Sequence, residues 1–204
     1  MTLAQTYRHK LASALREAGP DAPTLCEGWR AADLAAHLYI RENKPLAAAG
    51  IFVSPLHKVF EKTEAEILAQ PYEQTIAAWE KGPSKRNPMK YADQYMNGAE
   101  HFVHYADVAR AQDPECELPL DAQQAKELHR ATAFIAKREL AKAPVPVIAF
   151  PDGMPRIIIK DKKGVSLLGD DVVRLSGPIG EILLWAYGRP ASGLTFSGPV
   201  EKLN

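Results

Sequence analysis

Cysteine is scarce in this chain. Cys26 and Cys116 are the only two in 204 residues, far apart and without Cys-x-x-Cys spacing, which excludes a disulfide framework and a thiolate zinc site. Charge bias is also missing. The 25 basic and 25 acidic residues cancel, which argues against nucleic acid or an anionic membrane surface as main partner, since both favour a basic excess. No apolar run approaches the length that crosses a bilayer, and the first ten residues lack the apolar core of a signal peptide. The expectation is a cytoplasmic protein with no membrane partner. There is no internal repeat or low-complexity segment. What is present is 46% apolar and 25% charged sequence, a globular composition long enough for one ordinary domain or a domain with a small appendage.

Helical periodicity dominates the first two thirds. Leu3, Tyr7, Leu11 and Leu15 recur at i,i+4 spacing behind Thr2 as N-cap, and Gly19-Pro20 stops the run. A compact loop, Pro23 to Arg30, leads into a second helix expected from about Ala31 to Ala49. A third helical stretch covers 54–69, opened by Ser54-Pro55, and a turn at Pro71 leads into 72–81. The turn-rich, basic segment 82–88 reads as a solvated loop, with the rim of an acidic-ligand site as the alternative. A helix over 89–111 and another over 121–142, with Asp121 as N-cap, complete an all-helical body. The period changes at Pro144-Val145-Pro146. Short β-type runs follow at 147–150, 156–159 and 165–168, then a helix over 179–187 and a last short strand at 194–196. The spacing therefore predicts a mainly α fold, with a helical bundle over residues 1–143 and a small α+β domain over 144–204.

The chemistry concentrates in Asn97 to Tyr105. Glu100 and His104 are four residues apart, one turn up a helix face, so a carboxylate and an imidazole can close on one divalent metal. The best third ligand is His37, which borders the apolar stripe of the second helix. Taken alone, such a histidine is more often a hydrogen-bonded core residue. Two histidines and a carboxylate leave a coordination position open, as catalytic metal sites require, and that position is expected to face a pocket between the helices of His37 and His104. His101 is the rival that would close the site, although it lies about 60° around the helix from His104. Asp107, three residues beyond His104, is placed to orient an imidazole. Cys26 has two readings, a nucleophile or a small residue packed beside Trp29, and the second fits the sequence better.

The strings Leu25-Cys26-Glu27-Gly28-Trp29 and Asp33-Leu34-Ala35-Ala36-His37-Leu38 resemble the entry of the mycothiol-dependent maleylpyruvate isomerase family, in the DinB-like group of metal-binding four-helix bundles. Glu100-His101-Phe102-Val103-His104 is similar to that family's Glu-x-x-x-His element. The resemblance spans roughly residues 1–142 and implies a DinB-like up-down four-helix bundle whose metal ligands are His37, Glu100 and His104. It further implies a divalent metal, zinc foremost, and a low-molecular-weight thiol such as mycothiol, serving isomerisation or transfer on a small-molecule substrate. No catalytic arginine of the tail can be matched, so catalytic residues are not assigned. The alternative is a non-catalytic metal- or small-ligand-binding bundle, and the oligomeric state, a homodimer included, stays open.

Overall fold

The computed structural model describes residues 1–83, 94–161 and 171–203. The basic loop beyond Pro83, the expected helix start at 89–93 and the expected strand at 165–168 lie outside them. The chain divides into two compact units, Met1–Glu117 and Leu118–Asn204.

In the first unit, α1 (Leu3–Ala18) starts at a capping box. The Thr2 side chain accepts from the Gln5 amide, and the Gln5 side chain accepts from the Thr2 amide. Its stripe of Leu3, Tyr7, Leu11 and Leu15 is fully buried, as the i,i+4 spacing requires. Helix α2 (Ala31–Asn43) ends earlier than the sequence predicts. Pro45 lacks an N–H and disfavours helical geometry at the residue before it. Lys44 accordingly leaves the helical region (φ −128°, ψ 67°), and Pro45 opens a separate helix, α3 (Pro45–Ala49).

A 3-10 turn at Ser54–Leu56 precedes α4 (His57–Leu68), followed by α5 (Tyr72–Glu80) and α6 (Gln94–Gln112). Helix α1 packs along α6 and α5, and α2 packs against α5, which makes a four-helix body. Gly98 permits the α1–α6 approach, since a Cβ there would sit 3.0 Å from a Leu3 methyl and 3.3 Å from the Ala4 nitrogen. The core joins Leu11, Leu15, Leu34, Leu38, Ile76, Trp79 and Val108.

In the second unit, α7 (Ala122–Glu139) begins at a capping box of Asp121 and Gln124. It packs on β2 and on α8 (Ile179–Ala186). The sequence reading placed this helix within the 1–143 body, whereas compactness groups it with the sheet. Strands β1 (Val147–Pro151), β2 (Ile157–Lys160), β3 (Val173–Gly177) and β4 (Thr195–Ser197) form one sheet in the order β2-β1-β3-β4, with β1 and β3 parallel and the other pairs antiparallel. Strand β3 is absent from the sequence expectation. Its apolar residues Val172, Val173 and Leu175 are interrupted by Arg174, and Ser176-Gly177-Pro178 reads as the opening of the following helix.

Candidate metal centre

Helix α6 sets the site. Asn97, Glu100, His104 and Asp107 follow a 3-4-3 spacing that stacks them along one face. Opposite them, α2 supplies His37 and, one turn on, Arg41. The loop before α2 supplies Cys26 and Trp29, and Gly28 takes φ 76° to make its turn. This loop is tied to α6 by the Leu25 amide donating to the Asp107 carbonyl at 2.9 Å.

His104 lies at the centre. Its Nδ1 is 3.0 Å from Asp107 Oδ2, and its Nε2 is 3.5 Å from Glu100 Oε2. The His37 ring meets the His104 ring edge-on at 5.6 Å between centroids, with Trp29 against the other side of His37 at 4.9 Å. The structure thus brings the three sequence-predicted ligands into one neighbourhood. Among the described residues, the donor group whose ligand atoms all approach within 4.8 Å of one another is a different one, Cys26, His104 and Asp107, and His37 is not in it. The Cys26 thiol donates to Asp107 Oδ2 at 3.1 Å and lies 3.9 Å from His104 Nδ1.

His104 therefore separates two donor environments. On the Nδ1 side, the fully buried Asp107 carboxylate accepts from both the imidazole and the thiol, so those groups satisfy one another. On the Nε2 side, Glu100 lines a cavity of about 340 Å³ together with His37, Arg41, Pro45, Ala48, Ala49, Ile51 and Phe52. His37 Nδ1 is buried there without a hydrogen-bond partner among the described residues, an unmet polar demand that native structures rarely leave.

Charges on this side are strongly coupled. Burial would raise the Glu100 pKa, but the hydrogen bond from His104 and the charge of Arg41 hold it down to about 2. Burial, reinforced by His104, lowers His37 to about 4. His37 is thus a neutral imidazole at neutral pH, the form that binds metals. His104 is held well above the usual histidine value. Burial opposes this, while Asp107, Cys26 and Glu100 favour the charged ring.

His101, the suspected fourth ligand, faces elsewhere. Its Nε2 is 2.9 Å from Glu42 Oε1 and its Nδ1 is 3.0 Å from the Ala4 carbonyl, with the ring fully buried against Trp79. Glu42 also accepts from Arg8 Nη2 at 2.6 Å and Trp79 Nε1 at 2.9 Å. Both His101 nitrogens are engaged in that network. Sequence reasoning missed Glu42 and Arg41, and both carried a signal. Glu42 extends the apolar stripe Leu34, Leu38 by one turn, where a charge needs buried partners, and Arg41 lies four residues beyond His37.

The family model of the mycothiol maleylpyruvate isomerase N-terminal domain matches residues 4–52, the stretch that includes the Cys26 loop and His37. The resemblance is to the mycothiol-dependent maleylpyruvate isomerases. No curated protein matches the chain. Two crystal structures share its fold with a TM-score of 0.61 each. They are the mycothiol-dependent maleylpyruvate isomerase, 17% identical, and a histidine-to-alanine mutant of a mycothiol-dependent maleylpyruvate isomerase, 16% identical. Each match covers 96% of this chain and 90% of the other. The DinB-like bundle with a small α+β unit is therefore the fold, as the sequence implied. No described helix is long and apolar enough to cross a membrane.

Proposed function

We propose that the first unit holds one divalent metal ion, zinc by its donor chemistry, through His37, Glu100 and His104. With a small thiol of the mycothiol type, the protein would serve isomerisation or transfer on a small molecule. The observation that carries this reading is the Nε2 side of His104. There a second imidazole with an unpartnered nitrogen and an ionised carboxylate meet at the wall of a cavity. The 3.5 Å between His104 Nε2 and Glu100 Oε2 suits two ligands each about 2.0–2.2 Å from a shared ion. A bound cation of this kind favours the thiolate form of a coordinated thiol near neutral pH.

The chain's own residues have separate tasks. Asp107 accepts from His104 Nδ1 and would keep that proton in place while a metal ion displaces the proton on Nε2, the nitrogen that faces Glu100. Cys26 donates to the same carboxylate and so supports that orientation. Arg41, with Nη1 donating to Asn97 at 2.8 Å and Nη2 3.8 Å from Glu100 Oε1, holds the Glu100 carboxylate ionised and in place. Trp29 and the apolar cavity wall limit water around His37.

The Cys26, His104, Asp107 group favours a second reading, a metal held on the Nδ1 side. The Nε2 side is preferred because it has the buried His37 nitrogen without a partner among the described residues. A non-catalytic metal- or small-ligand-binding protein is the functional alternative. The test is titration of the cobalt-loaded protein with mycothiol, followed by visible absorption. A sulfur-to-metal charge-transfer band that disappears in Glu100→Ala is expected. No spectral change, with cobalt occupancy verified, would move the assignment to the binding-protein alternative.

A further inference from the structure

The two nitrogens of His104 face different donor chemistries. On the Nε2 side, Glu100 and His37 add an oxygen and a nitrogen. On the Nδ1 side, Cys26 adds a sulfur. Asp107 Oδ2 is 3.0 Å from His104 Nδ1 and 3.1 Å from the Cys26 thiol, and 3.9 Å separates the thiol from Nδ1. Donor atoms bound tetrahedrally at about 2.0–2.3 Å lie about 3.3–3.8 Å apart, so this triangle closes on one ion with small movements.

The backbone holds the triangle ready. The Leu25 amide donates to the Asp107 carbonyl at 2.9 Å, and the Cys26 amide donates to Thr24 Oγ1 at 3.2 Å. Thiol and carboxylate therefore need little reordering to coordinate. Cys26 also lines an open cleft with Thr24, Glu27 and Trp29, and the Glu27 carboxylate is exposed. Among the described residues, this cleft shares no lining residue with the His37 cavity, which gives a cation its own route to the sulfur.

A neutral imidazole has one nitrogen with a lone pair and one that carries the proton. His104 thus serves one side at a time. With Nε2 as ligand, the Nδ1 proton stays in the bond to Asp107. With Nδ1 as ligand, the proton sits on Nε2, 3.5 Å from Glu100 Oε2, and the His37 side loses a donor. Serving both sides at once would need the anion of the ring.

We propose that Cys26, His104 and Asp107 form a second metal site for a soft, thiophilic cation of the cadmium type, and that filling it switches off the His37–Glu100 side. The thiolate supplies the preference, since soft sulfur ligands favour such ions. Thiolate and carboxylate together offset a divalent charge, so the buried site ends neutral. From the metal-free protein, binding releases the Cys26 sulfur proton and the His104 Nδ1 proton to solvent, and Nε2 keeps its own. The switching effect rests on the metal reading above, whereas the soft-cation site does not.

The experiment uses the full chain, stripped of metal and carrying Cys116→Ser to remove the other thiol, with cadmium chloride as the probe. One cadmium per chain with an ultraviolet sulfur-to-metal band is expected, kept in His37→Ala and lost in Cys26→Ser. Scalar coupling between cadmium and isotopically labelled histidine should run through His104 Nδ1. Zinc should bind the cadmium-loaded chain at least about tenfold more weakly than the cadmium-free chain, a usual strength for coupled sites. No sulfur band, or coupling through Nε2, would overturn the site. Zinc bound at full affinity with the sulfur band intact would overturn the switch. Failure of the zinc reading would appear separately, as a chain that takes cadmium through Nδ1 but binds no zinc when cadmium is absent.

Discussion

Two histidines on α6, His101 and His104, are three residues apart and live in opposite chemical situations. His101 is closed in on every side: Glu42 and the Ala4 carbonyl take its two nitrogens, Trp79 covers its ring, and Glu42 in turn accepts from Arg8 and the Trp79 indole. His104 is held on one side only. Asp107 fixes Nδ1, while Nε2 faces Glu100 and the neighbourhood of His37, where a buried nitrogen has no partner among the described residues. Burial of a polar group thus has two outcomes on one helix. Where every donor and acceptor is matched, the network fastens α1, α2, α5 and α6 together. Where one remains unmatched beside a cavity, the demand points to a ligand supplied from outside.

The largest effect comes from breaking the closed network. Glu42 is 1% exposed and its carboxyl is held at about 2, with burial opposed by His101 and Arg8. Its folded pKa lies below the ordinary carboxylate value of about 4.5, so its contribution to stability is complete above about pH 4.5 and is lost as the pH falls through about 2. The difference corresponds to about 3 kcal/mol. Glu42→Gln should lower the stability of the first unit at pH 7 by a similar amount, about 3 kcal/mol, because it leaves the Arg8 charge uncompensated. It should also flatten the acid limb of a denaturation series. An unchanged acid limb would show that the network is not the fastening described here.

The open side should respond to metal instead. A metal bound only by the folded protein adds RT ln(1 + [L]/Kd), about 2.7 kcal/mol at a hundredfold excess over Kd. Chelation of the metal-loaded protein should therefore lower its melting temperature, and the same treatment should do nothing to His37→Ala. A chelation response that persists in His37→Ala would place the metal on the Nδ1 side with Cys26 and Asp107.

The smallest expected effect sharpens the same division. Asp107→Asn keeps the shape but weakens the hold on His104 Nδ1, and should raise the metal Kd by about 10–100-fold, the usual range for a residue that orients a metal-bound imidazole. Calorimetric titration with zinc measures this directly. Complete loss of binding would make Asp107 a ligand itself.

How much of this was legible in the sequence depended on whether a signal was local. The α1 stripe, the Thr2 and Asp121 caps, and the common face of Glu100 and His104 all follow from helical spacing within one segment. The break at Pro45 also had a local cause, the proline itself, but the apolar and alanine-rich residues around it favoured one continuous helix to Ala49, and the expectation missed it. The β3 strand is short and gains its place by pairing with β1 and β4, which no local pattern reports. The fate of His101 depended on Glu42 and Ala4, residues brought to it by two other helices. The spacing put His101 near enough to be a rival ligand, and only tertiary packing turned it away.

The central claim is that His104, through its Nε2 side, holds a metal together with His37 and Glu100. Elemental analysis of zinc in the purified full chain tests it most directly, beside His104→Ala and Cys26→Ser prepared identically and checked for retained helicity. The account predicts a stoichiometric ion in the parent protein, its loss in His104→Ala and its retention in Cys26→Ser. Zinc retained in His104→Ala, or absent from the parent protein after incubation with excess zinc, would contradict it.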